Sequence, residues 1–172
     1  MSKTAFKGTT VNLAGEFIKT GITAPDFTMV KGDLSQFKLS ETKGKFVILN
    51  IFPSLDTGVC ATSVRKFNQM AANMDNTVVL AISKDLPFAQ GRFCTTEGIA
   101  NVIPLSDFRN PSDFDTEYGV LIADGPLKGL LTRSVVVINP EGKIVYTELV
   151  PEITQEPNYE AALAAIKQET TQ

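Results

Sequence analysis

Apolar residues in this chain fall into short, dense runs rather than long stripes. Residues 46–52 (FVILNIF) form an almost unbroken one, and 77–82 (TVVLAI) and 102–105 (VIPL) repeat it. Runs of this kind fit central strands covered on both faces, the habit of parallel sheets. Between them the pattern predicts a helix over 59–73 and a second from Pro87 into the nineties. The first twenty residues predict two short strands around Lys7-Gly8, a small hairpin. The turn-rich GITAPD of 21–26 leads into an apolar stretch at 27–30. Residues 134–138 and 143–149 flank Asn139-Pro140-Glu141-Gly142, a turn signal for an antiparallel hairpin. At the end, Pro157 suits a first helical position, and Tyr159, Ala162, Leu163 and Ile166 follow an i, i+3, i+4, i+7 stripe. This order predicts an α/β fold, a central mixed β-sheet flanked by helices. No repeat, low-complexity stretch or linker interrupts it, so residues 1–172 are expected to form one domain with 1–20 as a hairpin extension.

Composition narrows the chemistry sharply. The 172 residues include two cysteines and no histidine. Without histidine there is no Ser-His-Asp or Cys-His relay and no imidazole for a metal. Two cysteines are too few for a four-thiolate zinc or iron–sulfur site. A chain this long buries roughly 70% of its unfolded surface and needs no disulfide to fold. With 16 basic and 19 acidic side chains the net charge is −3, which argues against a nucleic-acid surface. No apolar run approaches the roughly 18 residues of a membrane span. The beginning MSKTAFKGTT has no apolar signal core, so a reducing cytoplasm is the expected location.

One segment then stands out. In open α/β sheets, chemistry gathers beyond the carboxyl ends of the central strands. Just past 46–52 comes Pro53-Ser54-Leu55-Asp56-Thr57-Gly58-Val59-Cys60. Asp56 or Thr57 can cap the following helix, which puts Cys60 in or near its first turn. Backbone N–H groups and the helix dipole there favour a thiolate. The dipole supplies about 1–2 kcal/mol, roughly one unit below an ordinary thiol near 8.5, whereas ionisation at neutral pH needs about two. A cation is therefore wanted, and it must be lysine or arginine.

Among the four arginines, Arg65 lies five positions past Cys60 on the same helix and should point away. Arg133 is expected on one strand face with Leu131, Val135 and Val137, where a guanidinium demands an anionic or hydrogen-bonding partner. Plainer roles fit the same pattern. Cys60 shares a helical stripe with Val64, Phe67 and Ala71 and can be a small core residue. Arg133 can end a strand with its head in solvent, and Thr57 can be a cap alone. Cys94, 34 residues after Cys60, shows no sign of activation by position.

Pro53, Thr57 and Cys60 reproduce the pattern P-x-x-x-T-x-x-C, and the chain resembles the peroxiredoxin family. The match is closer to its atypical two-cysteine subgroup, the bacterial thiol peroxidases. It extends over FPSLDTGVCATSVRKFN (52–68), SKDLPFAQGRFC (83–94), LSDFR (105–109) and EPNYEAAL (156–163), with APDF (24–27) and Arg133 in corresponding places. The subgroup usually has proline where Gly58 stands and often aspartate where Ala61 stands.

The resemblance implies a thioredoxin-like fold with an N-terminal β-hairpin. It implies Cys60 as the peroxidatic and Cys94 as the resolving cysteine, joined in a disulfide on oxidation. Thr57 and Arg133 would orient the peroxide and stabilise the thiolate, and Pro53 would shield it from water. It further implies hydrogen peroxide and alkyl hydroperoxides as substrates, thioredoxin as reductant, a homodimer, and no metal or prosthetic group. Apolar flanks (Phe52, Leu55, Val59, Phe88, Phe93) point toward alkyl hydroperoxides. The two thiols are expected to lie too far apart to bond without rearrangement. Two other functions use the same residues: a non-enzymatic thiol redox sensor, and a protein disulfide exchanger, although the C-x-x-C spacing of exchangers is missing.

Overall fold

The structure, a computed structural model, describes residues 2–170. Its first strands, β1 (Lys3–Phe6) and β2 (Thr9–Ala14), pair antiparallel across Lys7-Gly8. β3 (Thr28–Lys31) and β4 (Gln36–Lys38) follow, then β5 (Phe46–Ile51), α1 (Gly58–Ala71), β6 (Thr77–Ser83), α2 (Pro87–Glu97) and β7 (Ile103–Ser106). The chain continues through α3 (Phe114–Glu117), β8 (Leu121–Ile122), β9 (Ser134–Ile138), β10 (Ile144–Leu149) and α4 (Tyr159–Thr170).

Seven strands form the main sheet in the order β10-β9-β5-β6-β7-β3-β4. β5, β6 and β7 run parallel, whereas β9, β10, β3 and β4 join antiparallel, so the sheet is mixed. β8 adds to the N-terminal hairpin in a separate three-stranded sheet. All six residues of β5 are buried, as its unbroken apolar run predicts. The pleat divides them: Val47, Leu49 and Ile51 enter the core with Phe27, Phe114 and Tyr118, while Phe46 and Ile48 enter the one holding Cys60, Val64 and Phe67. α4 adds Ala162 and Ile166 to that second core. Both cores meet at the sheet, and the chain leaving β5 is fixed from two sides.

Two expectations need correcting. Pro157 is not the first residue of the last helix, which starts at Tyr159. Asn158 precedes it, and its Oδ1 accepts the N–H of Ala161 at 3.0 Å, a side-chain cap that stops the helix from starting sooner. Leu131 does not share a face with Val135 and Val137. It packs into the opposite core, because the chain bends at Thr132-Arg133 before β9 begins.

Candidate active site

β5 delivers the chain to the carboxyl edge of the sheet, where Phe52 N–H still donates to Ile82 O at 3.1 Å. Pro53 is buried immediately after it. The next turn is held from the neighbouring strand by Asp85. Its Oδ1 accepts the Ser54 hydroxyl at 2.7 Å, and its Oδ2 accepts the Leu55 N–H at 2.8 Å. Ser83 Oγ also donates to Asp85 Oδ2, and Ser106 Oγ to the Asp85 carbonyl. Three parallel strand ends thus fasten the loop ahead of Cys60.

α1 begins at Gly58 with Thr57 as its N-cap residue, but no side chain caps it. The Thr57 hydroxyl instead donates to Ser54 O at 3.0 Å, and Asp56 does not cap either. The N–H groups of the first turn are left free to serve an anion or a substrate. Cys60 is the third residue of this turn and has no exposed surface. Its carbonyl accepts Ser63 Oγ at 2.8 Å, and Ser63 Oγ accepts Asn50 Nδ2 of β5 at 3.1 Å. The helix is therefore bound to the central strand at the cysteine itself.

Arg133 is 2% exposed, among the largest fully buried side chains. Its Nη2 donates to Cys60 Sγ at 3.0 Å, and its Nε donates to Ile153 O at 2.6 Å. Its Nη1 is buried and has no partner among the described residues. A guanidinium in apolar surroundings needs every N–H satisfied, so one unmet donor beside a sulfur is an invitation to a small acceptor. Glu156 lies near enough for Arg133 to help lower its carboxyl, after the larger pulls of the Tyr159 hydroxyl (2.9 Å) and Lys66 Nζ (3.2 Å).

Cys94 sits on α2, half-buried, and burial pushes its thiol up. Both cysteines are free. A cleft of about 180 Å³ separates Leu55 and Asp56 from the α2 side chains Ala89, Arg92 and Phe93. Arg65 points away from Cys60, as helical spacing predicts, and its guanidinium grips Glu97 at 3.2 and 2.7 Å. A wider cleft of about 460 Å³, with Ala24, Leu39, Val47 and Ile138 in its walls, belongs to the other core.

The structure thus brings Cys60 and Arg133 into contact, sets Pro53 and Thr57 in the loop before Cys60, and leaves Cys94 on a separate helix. Sequence reasoning missed Asp85 and the segment around Ile153. Asp85 lies just past β6, in the region where strand ends converge, and that position was its only signal. Ile153 acts through its carbonyl, which no side-chain identity reveals.

Residues 19–163 match the redoxin family. Thiol peroxidases of Mycobacterium bovis and Corynebacterium glutamicum are 55% and 52% identical over 166 residues, 96% of this chain and 99% of each relative. Among solved structures, a peroxiredoxin-like protein from Aquifex aeolicus superposes with a TM-score of 0.92 at 43% identity, over 98% of this chain and 97% of that one.

Proposed function

The chain belongs to the redoxin family, and from that premise we propose that it is a thiol-dependent peroxidase in which Cys60 meets the peroxide and Cys94 resolves the product. One observation carries this reading: a buried guanidinium bonded to a cysteine sulfur at 3.0 Å, with one donor unmet, at an uncapped helix start.

The Cys60 thiolate attacks the terminal oxygen of ROOH in line. The S–O bond forms, the O–O bond breaks, and the alkoxide leaves as ROH on taking a proton. Charge moves from sulfur to the leaving oxygen. Arg133 Nη1 and the N–H groups of Val59 and Cys60 are the donors for that charge, worth several kcal/mol in a dry site. Thr57, exposed beside them, would orient the peroxide, and buried Pro53 would keep water from the thiolate.

Cys94 then condenses with the Cys60 sulfenic acid, releasing water and forming a disulfide. A dithiol partner, which we take to be thioredoxin, reopens it by exchange. The cycle must return both thiols to the reduced state, which suits the cytoplasm. No helix among the described residues is long and apolar enough to cross a membrane. The family resemblance also favours a homodimer. A sensor or a disulfide exchanger is the weaker reading, since the near full-length relatives are thiol peroxidases and the C-x-x-C of exchangers is missing.

The test is one equivalent of hydroperoxide added to reduced protein. Fast loss of both thiols and a mass decrease of about 2 Da, followed by turnover with thioredoxin and its reductase, is the expected result. Slow oxidation, or rapid oxidation without turnover by any dithiol, would overturn it. Alkyl hydroperoxides are expected to react at least as fast as hydrogen peroxide.

A further inference from the structure

Arg133 reaches Cys60 with one nitrogen while another is anchored to the carbonyl of Ile153, so whatever fixes that carbonyl also aims the guanidinium. Ile153 follows β10 in a segment with no regular structure. It is held from outside. Its side chain is buried with Val11, Leu13 and Ile122, and its N–H donates to Ala5 O at 2.8 Å. Thr4 Oγ1 donates to Val150 O at 2.8 Å, a few residues earlier.

The carboxylate of the adjacent residue, Glu152, makes the most numerous of these ties. Its Oε1 accepts the N–H of Gly8 at 2.8 Å, and its Oε2 accepts the N–H of Lys7 at 3.2 Å. Oε2 also accepts the N–H and hydroxyl of Thr154 at 2.9 and 2.8 Å. Lys7 and Gly8 both have positive φ, 51° and 82°, the tight hairpin turn that points two consecutive N–H groups at one anion. Those N–H groups, Thr154's and Gly8's first, hold the Glu152 carboxyl at about 2, so it stays anionic throughout the useful pH range.

We propose that Glu152 is a positioning residue for the peroxide reaction, through which the N-terminal hairpin aims Arg133 at Cys60. The path is continuous: turn N–H groups to the Glu152 carboxylate, that carboxylate to the Thr154 N–H, which shares one planar peptide with the Ile153 carbonyl, that carbonyl to Arg133 Nε, and Nη2 to Cys60 Sγ. The clamp matters because a second anion, already bonded to Tyr159 and Lys66, acts on Arg133. Glu156 is anionic, partly exposed and within the field of the guanidinium. With the Ile153 carbonyl loose, the head of Arg133 is free to swing toward Glu156 and abandon the sulfur.

This inference rests on the role given to Arg133 above, and a double-mutant cycle separates the two. Second-order rate constants for Cys60 oxidation by peroxide are measured on the full chain with Glu152→Ala, Glu152→Gln, Arg133→Ala and Arg133→Ala/Glu152→Ala. Glu152→Ala is expected to slow oxidation about tenfold or more, the scale of a misplaced catalytic group. Glu152→Gln, which keeps an acceptor oxygen for the turn, is expected to recover part of that loss. In the Arg133→Ala background, removing Glu152 should change the rate by less than twofold, because nothing is left to aim. An equal tenfold loss in both backgrounds would show a general structural role and overturn the proposal, as would an unchanged rate in Glu152→Ala. If Glu152→Ala does not fold, Glu152→Gln takes its place in both backgrounds, and the same comparison decides. A normal rate in Arg133→Ala would instead overturn the role of Arg133 itself.

Discussion

The two cysteine-bearing helices are built on opposite terms. α1 buries Cys60, Ala61, Ser63, Val64 and Phe67, and Phe67 stacks edge-on against Tyr159 of α4 at 5.1 Å. α2 buries only Pro87 and Gln90, and its Phe88 is 68% exposed. Cys60 is thereby locked to the sheet by core packing and by the Asn50–Ser63 link. Cys94 rides on a helix held at its first turns by Gln90, whose Nε2 donates to Ser83 Oγ and Leu105 O, and at the cysteine end by Phe93 and one exposed ion pair between Arg65 and Glu97. The difference suits the two steps of the proposed cycle. Attack on a peroxide needs fixed geometry, and condensation with a sulfenic acid needs a thiol that can travel. Burial keeps Cys94 a thiol while it waits.

Removing each sulfur in turn should have the largest effect. Cys60→Ser is expected to abolish peroxide consumption, whereas Cys94→Ser should leave the first oxidation intact and stop at a sulfenic acid, read by mass. Equal effects on the first oxidation would erase the distinction between the helices. Packing comes next. Phe67→Ala should cost about 3–5 kcal/mol in denaturant unfolding. Phe93→Ala, on the half-buried face of α2, should cost well under half of that.

Arg65→Ala should scarcely move global stability, since exposed ion pairs contribute little. It should, however, raise the rate of disulfide formation a few-fold by loosening α2, measured after peroxide has oxidised Cys60. An unchanged rate would mean the ion pair is no part of the restraint. The smallest effect is expected at Gly58. An added Cβ there meets nothing within 4 Å, it is the first helical residue, and Thr57 before it is extended at φ −100°, ψ 144°. Proline fits such a place, so Gly58→Pro should stabilise the fold by about 0.4–1 kcal/mol and leave peroxide attack within a small factor.

The sequence exposed these two helices unequally as well. The buried strand β5 and the helix after it announce themselves through FVILNIF and the Cys60-Val64-Phe67 spacing, because burial on both faces leaves a dense apolar signature. α2 has no such stripe, and only Pro87 marks its start. The short strand β8 and the bend at Thr132-Arg133 were not legible, since both depend on contacts distant in the chain. The same holds for the active site. Cys60 and Arg133 were visible as residues of the right chemistry, but Asp85, Glu152 and the Ile153 carbonyl act by position. Thr57 shows the reverse: a capping residue by type whose hydroxyl turns to Ser54 instead.

In the proposed cycle the Arg133 guanidinium makes Cys60 reactive while Cys94 resolves independently. Rapid mixing of reduced protein with excess hydroperoxide tests it most directly. The wild-type protein should show a first phase that scales with peroxide and a second that does not. In Arg133→Ala the first phase should slow by about 10²–10³-fold, the scale for losing one donor to developing charge, with the chemistry of the second step unchanged. A first phase as fast as in the wild-type protein would show that Arg133 does not activate Cys60.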